Sequence, residues 1–421
     1  MNKTHDPMEY VRGLQQLLVS DKKRIGFLFG AGSSLAKKNK DSIAIPAIGE
    51  MTRQITETLS INPKFKDALA EIRAEIEKGK DFCTIETILS SLERKIQVLG
   101  GGVLNGLNVS EFETLKSKLK SEIQQAVSIH AEIEKSPADT IHSEFAEWIK
   151  RADKKFPIEI FTTNYDYLFE IALEYCGIAY FDGFTGAYKP FFDAEAVEDM
   201  KHLPKQTKLW KIHGSLGWHL DDNNNRVWRK DSDTEDILIY PSALKYDQTR
   251  KQPYVALGDR LSNFLKQPDS VLITCGYSFG DYHINERIMS ALKSNISAHV
   301  YAFIYDKMWD GNAPKYSIAD ESELARLAFT QRKLTVIGMR SAIIGCKFGD
   351  WKLQREPDPD DSIIISSYFD EDAAQDDCKE KNKTFQSNEV WTGRGEFRLN
   401  DFKFFVEFLK SMMVFEAEDN K

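Results

Sequence analysis

The sequence predicts an α/β fold: a doubly wound parallel sheet with a helical insertion subdomain and a C-terminal extension. Three observations lead to it. Short, almost uninterrupted apolar runs recur along the chain, several of them end directly in a polar or glycine-bearing turn, and helical patterns lie between most of them. Continuous hydrophobic strands alternating with helices mark a sheet buried on both faces. Ligands of such sheets bind in the crevice beyond the carboxyl ends of the strands, so the turns after these runs are where chemistry is expected.

The runs at 24–29 (RIGFLF), 158–161 (IEIF), 209–212 (LWKI), 271–274 (VLIT), 299–305 (HVYAFIY) and 334–337 (LTVI) predict six buried strands. More than a hundred residues separate the first two. There, 51–59, 66–78, 85–98 and 109–135 are helix-like with charges on one side, and Gly100-Gly101-Gly102 breaks them. They predict a helical insertion over about 51–135, either a structural layer or a lid. After about Gly338 the composition changes. REPDPDD at 355–361 and the acidic stretch 370–383 predict loops, and 397–415 (FRLNDFKFFVEFLKSMMVF) predicts a helix with Phe404, Phe405, Phe408 and Leu409 in one stripe. Left exposed, that stripe would be an aggregation liability, so we expect it to be buried in a closed homo-oligomer. Packing back onto the chain's own sheet is the alternative. Residues 1–338 are thus expected to form the functional domain and 339–421 an assembly or packing extension. The sequence contains no internal repeat.

Composition narrows the function classes. With 421 residues, 42% hydrophobic and 29% charged, the chain is an ordinary globular one, long enough to fold without disulfides or metals. Lys plus Arg total 56 against 65 for Asp plus Glu, a net charge of −9, the wrong sign for a protein whose main task is gripping a nucleic-acid backbone. Direct nucleic-acid binding is not expected. Cys83, Cys176, Cys275, Cys346 and Cys378 show no C-x-x-C spacing, which argues against a disulfide framework and a zinc ribbon. There is no signal-peptide core near Met1 and no apolar run near the ~20 residues of a membrane span, so a cytoplasmic protein is expected.

Five strand ends carry candidate chemistry. After RIGFLF comes Gly30-Ala31-Gly32-Ser33-Ser34: two glycines allow close approach of a phosphate, and Ser33 and Ser34 can cap a following helix whose N-terminus favours anions. The third glycine of the dinucleotide fingerprint is missing, which disfavours an ordinary Rossmann dehydrogenase while leaving the sheet Rossmann-like. After IEIF comes Thr162-Thr163-Asn164-Tyr165-Asp166, which places an amide and a carboxylate at the crevice; alternatively, Thr163 or Asp166 caps the helix at 167–175. His213-Gly214-Ser215 follows LWKI, where a histidine beside glycine can reach a ligand or simply be structural, and Trp218 and His219 read as hairpin residues. Gly276-Tyr277-Ser278-Phe279-Gly280-Asp281 follows VLITC with a glycine and a hydroxyl suited to ribose or phosphate. Tyr305-Asp306 closes the fifth strand, where a contact to a base could sit. For these last two, a plain structural turn is the competing reading.

Taken in order, GAGSS, TTNYD, KIHGS and GYSFGD, each after an apolar strand, resemble the sirtuin (silent-information-regulator-like) catalytic domain over about 24–338, including FCTIETILSSL at 82–92. The resemblance implies that Gly30, Ala31, Gly32, Ser33 and Ser34 cradle the pyrophosphate of NAD. It implies that Asn164 holds the nicotinamide ribose and the attacking water, that Asp166 binds the nicotinamide side, and that His213 is the base. Ser278 would contact phosphate or ribose. Thr163, Gly276 and Asp306 complete the expected binding set, with Thr163 standing where the family has glutamine. The four-cysteine zinc module of the deacylases is missing, as is a recognisable acyl-peptide groove, so no zinc is expected. What remains looks like the sirtuin-like domains of prokaryotic anti-phage defence, which destroy NAD in abortive infection, and among them the partner of HerA-type ATPases. The implied activity is that of an NAD glycohydrolase (NADase). A deacylase or ADP-ribosyltransferase, and a non-catalytic NAD- or ADP-ribose-sensing module, are the alternatives.

Overall fold

The computed structural model describes residues 4–79, 83–221, 226–230, 252–310, 313–316, 318, 322–371, 373 and 391–413. Its centre is a ten-stranded sheet whose strands are β1 (Thr4–His5), β2 (Arg24–Phe29), β3 (Glu159–Thr162), β4 (Tyr180–Phe181), β5 (Thr207–Lys211), β6 (Ser270–Cys275), β7 (His299–Phe303), β8 (Leu334–Ile337), β9 (Ser341–Ile344) and β10 (Lys347–Trp351). Their spatial order is β1-β10-β9-β8-β7-β6-β2-β3-β5-β4. From β8 to β4 all neighbours are parallel, in the register Phe27↔Ile160, Ile160↔Leu209, Phe27↔Ile273 and Ile273↔Tyr301. All six predicted strands are present, within two residues at each end. The sheet is mixed rather than wholly parallel, because β9 turns back antiparallel to both β8 and β10.

Alternate residues of β2 build two cores. Ile25, Phe27 and Phe29 face a layer of α1 (Pro7–Val19), α7 (Ile141–Arg151), α8 (Leu168–Tyr175) and α12 (Phe402–Ser411). Leu28, with Phe161, Trp210 and Leu272, faces α9 (Tyr254–Lys266), α10 (Tyr282–Ser294) and α11 (Glu323–Thr330). Strands apolar on both faces are what a doubly covered sheet requires. A buried ion pair fastens α9 under the sheet: Arg260 Nη2 and Nε bond the two Glu159 oxygens at 2.8 and 2.9 Å, and Trp210 Nε1 donates to the same carboxylate at 2.7 Å.

Between β2 and β3 stand a one-turn helix, α2 (Ala31–Ser34), and the predicted insertion, α3 (Ile48–Leu59), α4 (Pro63–Lys78), α5 (Ile85–Val98) and α6 (Val109–Val127). Capping boxes start α5 at Thr84/Thr87 and α6 at Asn108/Glu111. The helix expected over 109–135 stops at Val127, where Ser128 leaves helical geometry, and a short turn of helix resumes at His130–Ile133. Phe82 of the resemblance segment lies outside the described residues. The insertion has its own core, of which Leu89, Leu92, Phe112, Leu115 and Leu119 are fully buried members, and that core takes in Leu168 and Leu216 beside the crevice.

The segment after Gly338 enters the same sheet. Gly338 opens the β8–β9 turn, its N–H bonding Ser341 O at 2.9 Å, and β10 pairs with the N-terminal β1. Residues 355–361 are loop, as predicted; of 370–383, residues 372 and 374–383 lie outside the described residues. The predicted C-terminal helix is shorter than 397–415, and its stripe is not an exposed one. Asp401 caps α12 through Lys403 N at 2.8 Å, and Phe405, Phe408 and Leu409 are buried against α7 and the sheet, with Phe404 partly so. The Phe402 ring meets Phe29 at 5.1 Å and the Phe405 ring meets Phe303 at 5.5 Å. The intrachain alternative is therefore the correct one for this stripe. Its apolar surface is satisfied by the sheet, and it supplies no argument for a homo-oligomer.

Candidate active site

At the carboxyl ends of β2, β3, β5 and β6 the four motifs touch in a closed ring. The glycine loop meets the loop after β3 through Asn164 Nδ2, which donates to Gly30 O at 3.0 Å. The loop after β3 meets the loop after β5 through Leu216 N, which donates to Tyr165 O at 3.0 Å. The loop after β5 meets the loop after β6 where His213 Nε2 bonds Asp281 Oδ2 at 2.9 Å. The ring closes where Gly32 N donates to Gly276 O at 3.0 Å.

The two loop glycines are required by that closure. A Cβ on Gly30 would stand 2.6 Å from Gly276 O, and one on Gly32 would stand 2.6 Å from Gly276 Cα. Gly276 itself sits at φ +67°, where side chains are strained. Backbone packing between loops thus accounts for these glycines before any phosphate does. The anion-binding helix expected after them is the single turn α2, too short for an appreciable dipole. Ser33 and Ser34 point inward. Ser33 Oγ donates to Gly30 O at 2.9 Å and Ser34 Oγ to Asp166 Oδ2 at 2.8 Å, leaving Ala31 as the exposed member of the loop.

Asn164 is the clamp of this arrangement. Buried at 8% exposure, its Nδ2 lies within 3.1 Å of Gly30 O, Ser33 Oγ and Ser34 Oγ. A carbonyl only accepts, so the Gly30 oxygen assigns the amide orientation and leaves Oδ1 as the atom of Asn164 able to meet a ligand. Asp166 takes the capping role: Oδ1 accepts from Leu168 N at 3.1 Å at the start of α8, while Oδ2 accepts from Ser34 Oγ. Thr163 is half-buried, and its N–H bonds Phe29 O at 3.1 Å. Beneath them lies Lys211, which sequence reasoning passed over. Its Nζ donates to the carbonyls of Tyr165 (3.2 Å) and Asp166 and to Glu170 Oε1 (2.7 Å) at 2% side-chain exposure. Burial pushes the Glu170 carboxyl up, opposed by the Lys211 ammonium. A lysine inside an apolar strand, LWKI, was the signal available.

His213 and Asp281 are both largely buried. Asp281 divides its work between two oxygens, Oδ1 capping α10 through His283 N (2.9 Å) and Ile284 N (3.3 Å), Oδ2 facing the imidazole. It was legible as part of GYSFGD, but nothing local in the sequence assigns it to His213, 68 residues away. Beside this pair opens a cleft of about 720 Å³, with Ile212, Tyr254, Asp259 and Arg287 on its walls. Ser278 is exposed near the ring, its Oγ accepting from Gly280 N at 3.3 Å.

Asp306 stands apart from these groups. It is 2% exposed, and its two oxygens accept from Met339 N (2.9 Å) and Ile318 N (3.3 Å), so the carboxylate ties chain segments together rather than facing a ligand. Burial pushes this carboxyl up. Trp218 and His219 lie in an antiparallel hairpin, Trp218–Asp221 against Arg226–Arg229. Cys83, Cys176, Cys275 and Cys346 are free thiols, and no group of three or more metal-ligating side chains converges among the described residues. No helix among them is long and apolar enough to cross a membrane.

Comparison with known proteins bears on this geometry. A search of curated proteins finds no match. Among solved structures, one described as "Structural Basis for the Mechanism and Regulation of Sir2 Enzymes" is similar at 12% identity, covering 70% of this chain and 85% of that chain, with a TM-score of 0.28. The family model that matches is the SIR2-like domain, over residues 158–337, from the start of β3 to the end of β8; the glycine loop lies outside the matched span. Three of the four strand-end motifs lie within the span, residues 158–337, that is similar to the SIR2-like domain.

Proposed function

We propose that this chain hydrolyses NAD, releasing nicotinamide and ADP-ribose, at the ring of loops around Asn164 and His213. The observation that carries the reading is the ring itself: residues 51 to 244 positions apart in sequence, on the ends of four adjacent strands, bond one another at the sheet end where α/β ligands bind. SIR2-like domains use NAD, and the match over 158–337 supports that substrate. The residues present suit it. Asn164 is rigidly held with its carbonyl oxygen uncommitted to the loop, and His213 is backed by a carboxylate.

Hydrolysis breaks the C1′–N bond to nicotinamide, whose nitrogen leaves with the electron pair, while water oxygen bonds C1′ and loses one proton. Positive charge develops on the ribose in the transition state, as in glycoside hydrolysis generally. Asn164 orients the ribose or the water by a fixed hydrogen-bonding group. His213 takes the proton near neutral pH, and Asp281 stabilises the imidazolium that forms. The resemblance in motif order, together with the missing deacylase zinc module, supports the wider reading that NAD depletion serves anti-phage defence, in complex with a HerA-type ATPase.

The test is nicotinamide release from NAD by the purified chain, alone and with a HerA-type ATPase. The expected products are nicotinamide and free ADP-ribose. Asn164→Ala and His213→Ala should each lower the rate by at least about 10². Background release in every condition, or an acyl-ribose ester or labelled protein as product, would overturn the reading.

A further inference from the structure

On the sheet face beneath α1, the rule that central strands are apolar is broken at one end. Along β7 and β8, Phe303 and Ile337 are fully buried at the carboxyl ends. At the amino ends the same face carries His299 and Tyr301, with Thr335 paired opposite Tyr301. These side chains floor a slot of about 520 Å³ roofed by α1, within the size range of small-molecule sites. It lies at the opposite end of the strands from the ring around Asn164.

Four features equip the slot. The His299 and Tyr301 rings are stacked, with centroids 6.1 Å apart and planes at 25°, and both remain partly open. Tyr10 lines the slot, and its hydroxyl is buried without a hydrogen-bond partner among the described residues. Arg332 stands exposed at the slot and makes no ion pair or hydrogen bond among the described residues, whereas nearby Lys23 is paired with Asp269 and Lys333 is bonded to the Asn295 carbonyl. Finally, α1 carries Gly13 in its middle, facing the slot, where a Cβ would meet no atom within 4 Å. Glycine is the poorest helix residue after proline, and no contact inside the protein demands it here. A large side chain at this position would fill the slot. Burial, with Lys23 and Lys333, pushes the His299 imidazole below its usual range, which keeps the ring neutral and suited to stacking.

We propose that this slot is a second ligand site, for a nucleoside phosphate. The base stacks on the His299/Tyr301 floor beneath Gly13, and the phosphate is held by Arg332. The Asp6 and Glu9 carboxylates on the α1 wall are acceptors suited to ribose hydroxyls.

The test is binding of a fluorescent N-methylanthraniloyl-ATP to the full chain, with competition by ATP, GTP, adenosine and inorganic phosphate. Gly13→Trp fills the slot and Arg332→Glu inverts its charge; each should weaken the probe at least tenfold. His213→Ala, in the other crevice, should leave that binding unchanged, and ATP or GTP should compete better than adenosine. Gly13→Ala should bind normally and melt higher, because alanine favours the helix. Should Gly13→Trp fail to fold, the exposed Arg332→Glu decides alone. The proposal is overturned if Arg332→Glu binds like the wild type, if neither ATP nor GTP competes at millimolar concentration, or if His213→Ala abolishes the binding.

Discussion

Replacing Asp281 with asparagine separates two functions that share one side chain. Oδ1 accepts from His283 N and Ile284 N at the start of α10, and Oδ2 bonds His213 Nε2 at 2.9 Å. Asparagine caps helices about as well as aspartate, so Asp281→Asn keeps the cap but turns an amide N–H₂ toward the imidazole. The ring must then change tautomer, and the charge that would support an imidazolium in the proposed hydrolysis is gone. A hydrogen bond to a charged group contributes about 1.5–3 kcal/mol. At 1.36 kcal/mol per tenfold, the expected fall in kcat/KM for NAD is about 10- to 150-fold. Asp281→Ala loses the cap as well, about 0.5–2 kcal/mol. For a chain of 421 residues at about 2.1 cal/mol/K each, the unfolding entropy is near 0.9 kcal/mol/K, so that loss lowers Tm by about 0.5–2 °C. The assay is nicotinamide release measured beside thermal unfolding for the wild type and both variants. Wild-type kcat/KM in Asp281→Asn would refute the pairing with His213. A Tm drop in Asp281→Asn equal to that of Asp281→Ala would refute the division of labour between the two oxygens.

Two further predictions concern stability. Phe405→Ala removes a fully buried ring packed on Phe27 and Phe303 and should cost about 3–5 kcal/mol in denaturant unfolding; a loss below 1 kcal/mol would show that α12 does not dock as described. Burial pushes the His142 imidazole, wedged between Phe169 and Phe402, down to about 4 from an ordinary 6.5. The unfolded chain therefore binds a proton there first, so this contribution to stability is complete above pH 6.5 and is lost as pH falls toward 4, by up to about 3 kcal/mol. His142→Leu should lose correspondingly less stability than the wild type between pH 6.5 and 4, and parallel pH profiles for the two proteins would contradict the assignment.

The sequence by itself determined the sheet and marked its strand ends as the candidates for chemistry. Strands such as RIGFLF and LTVI are recognisable because burial on both faces demands unbroken apolar runs. The turns that follow them stand out because a polar or glycine residue there has no core to serve. The helical insertion was equally legible, since its charged and apolar faces repeat at helical spacing. Tertiary structure decided everything that depends on a partner distant in the chain. Asn164 appeared as a free amide at a strand end, and it became a clamp when folding brought Gly30, 134 residues away, within 3.0 Å. The loop glycines looked like phosphate contacts and proved to be the space through which Gly276 approaches. The stripe of α12 read the same whether a second subunit or the chain's own sheet covered it, because hydrophobic burial carries no direction. Asp306 at the end of HVYAFIY is a plausible ligand contact until the amides of Ile318 and Met339 are seen to occupy it. In each case the residue type limits which bonds are available, while the choice among them belongs to neighbours that only the folded chain supplies.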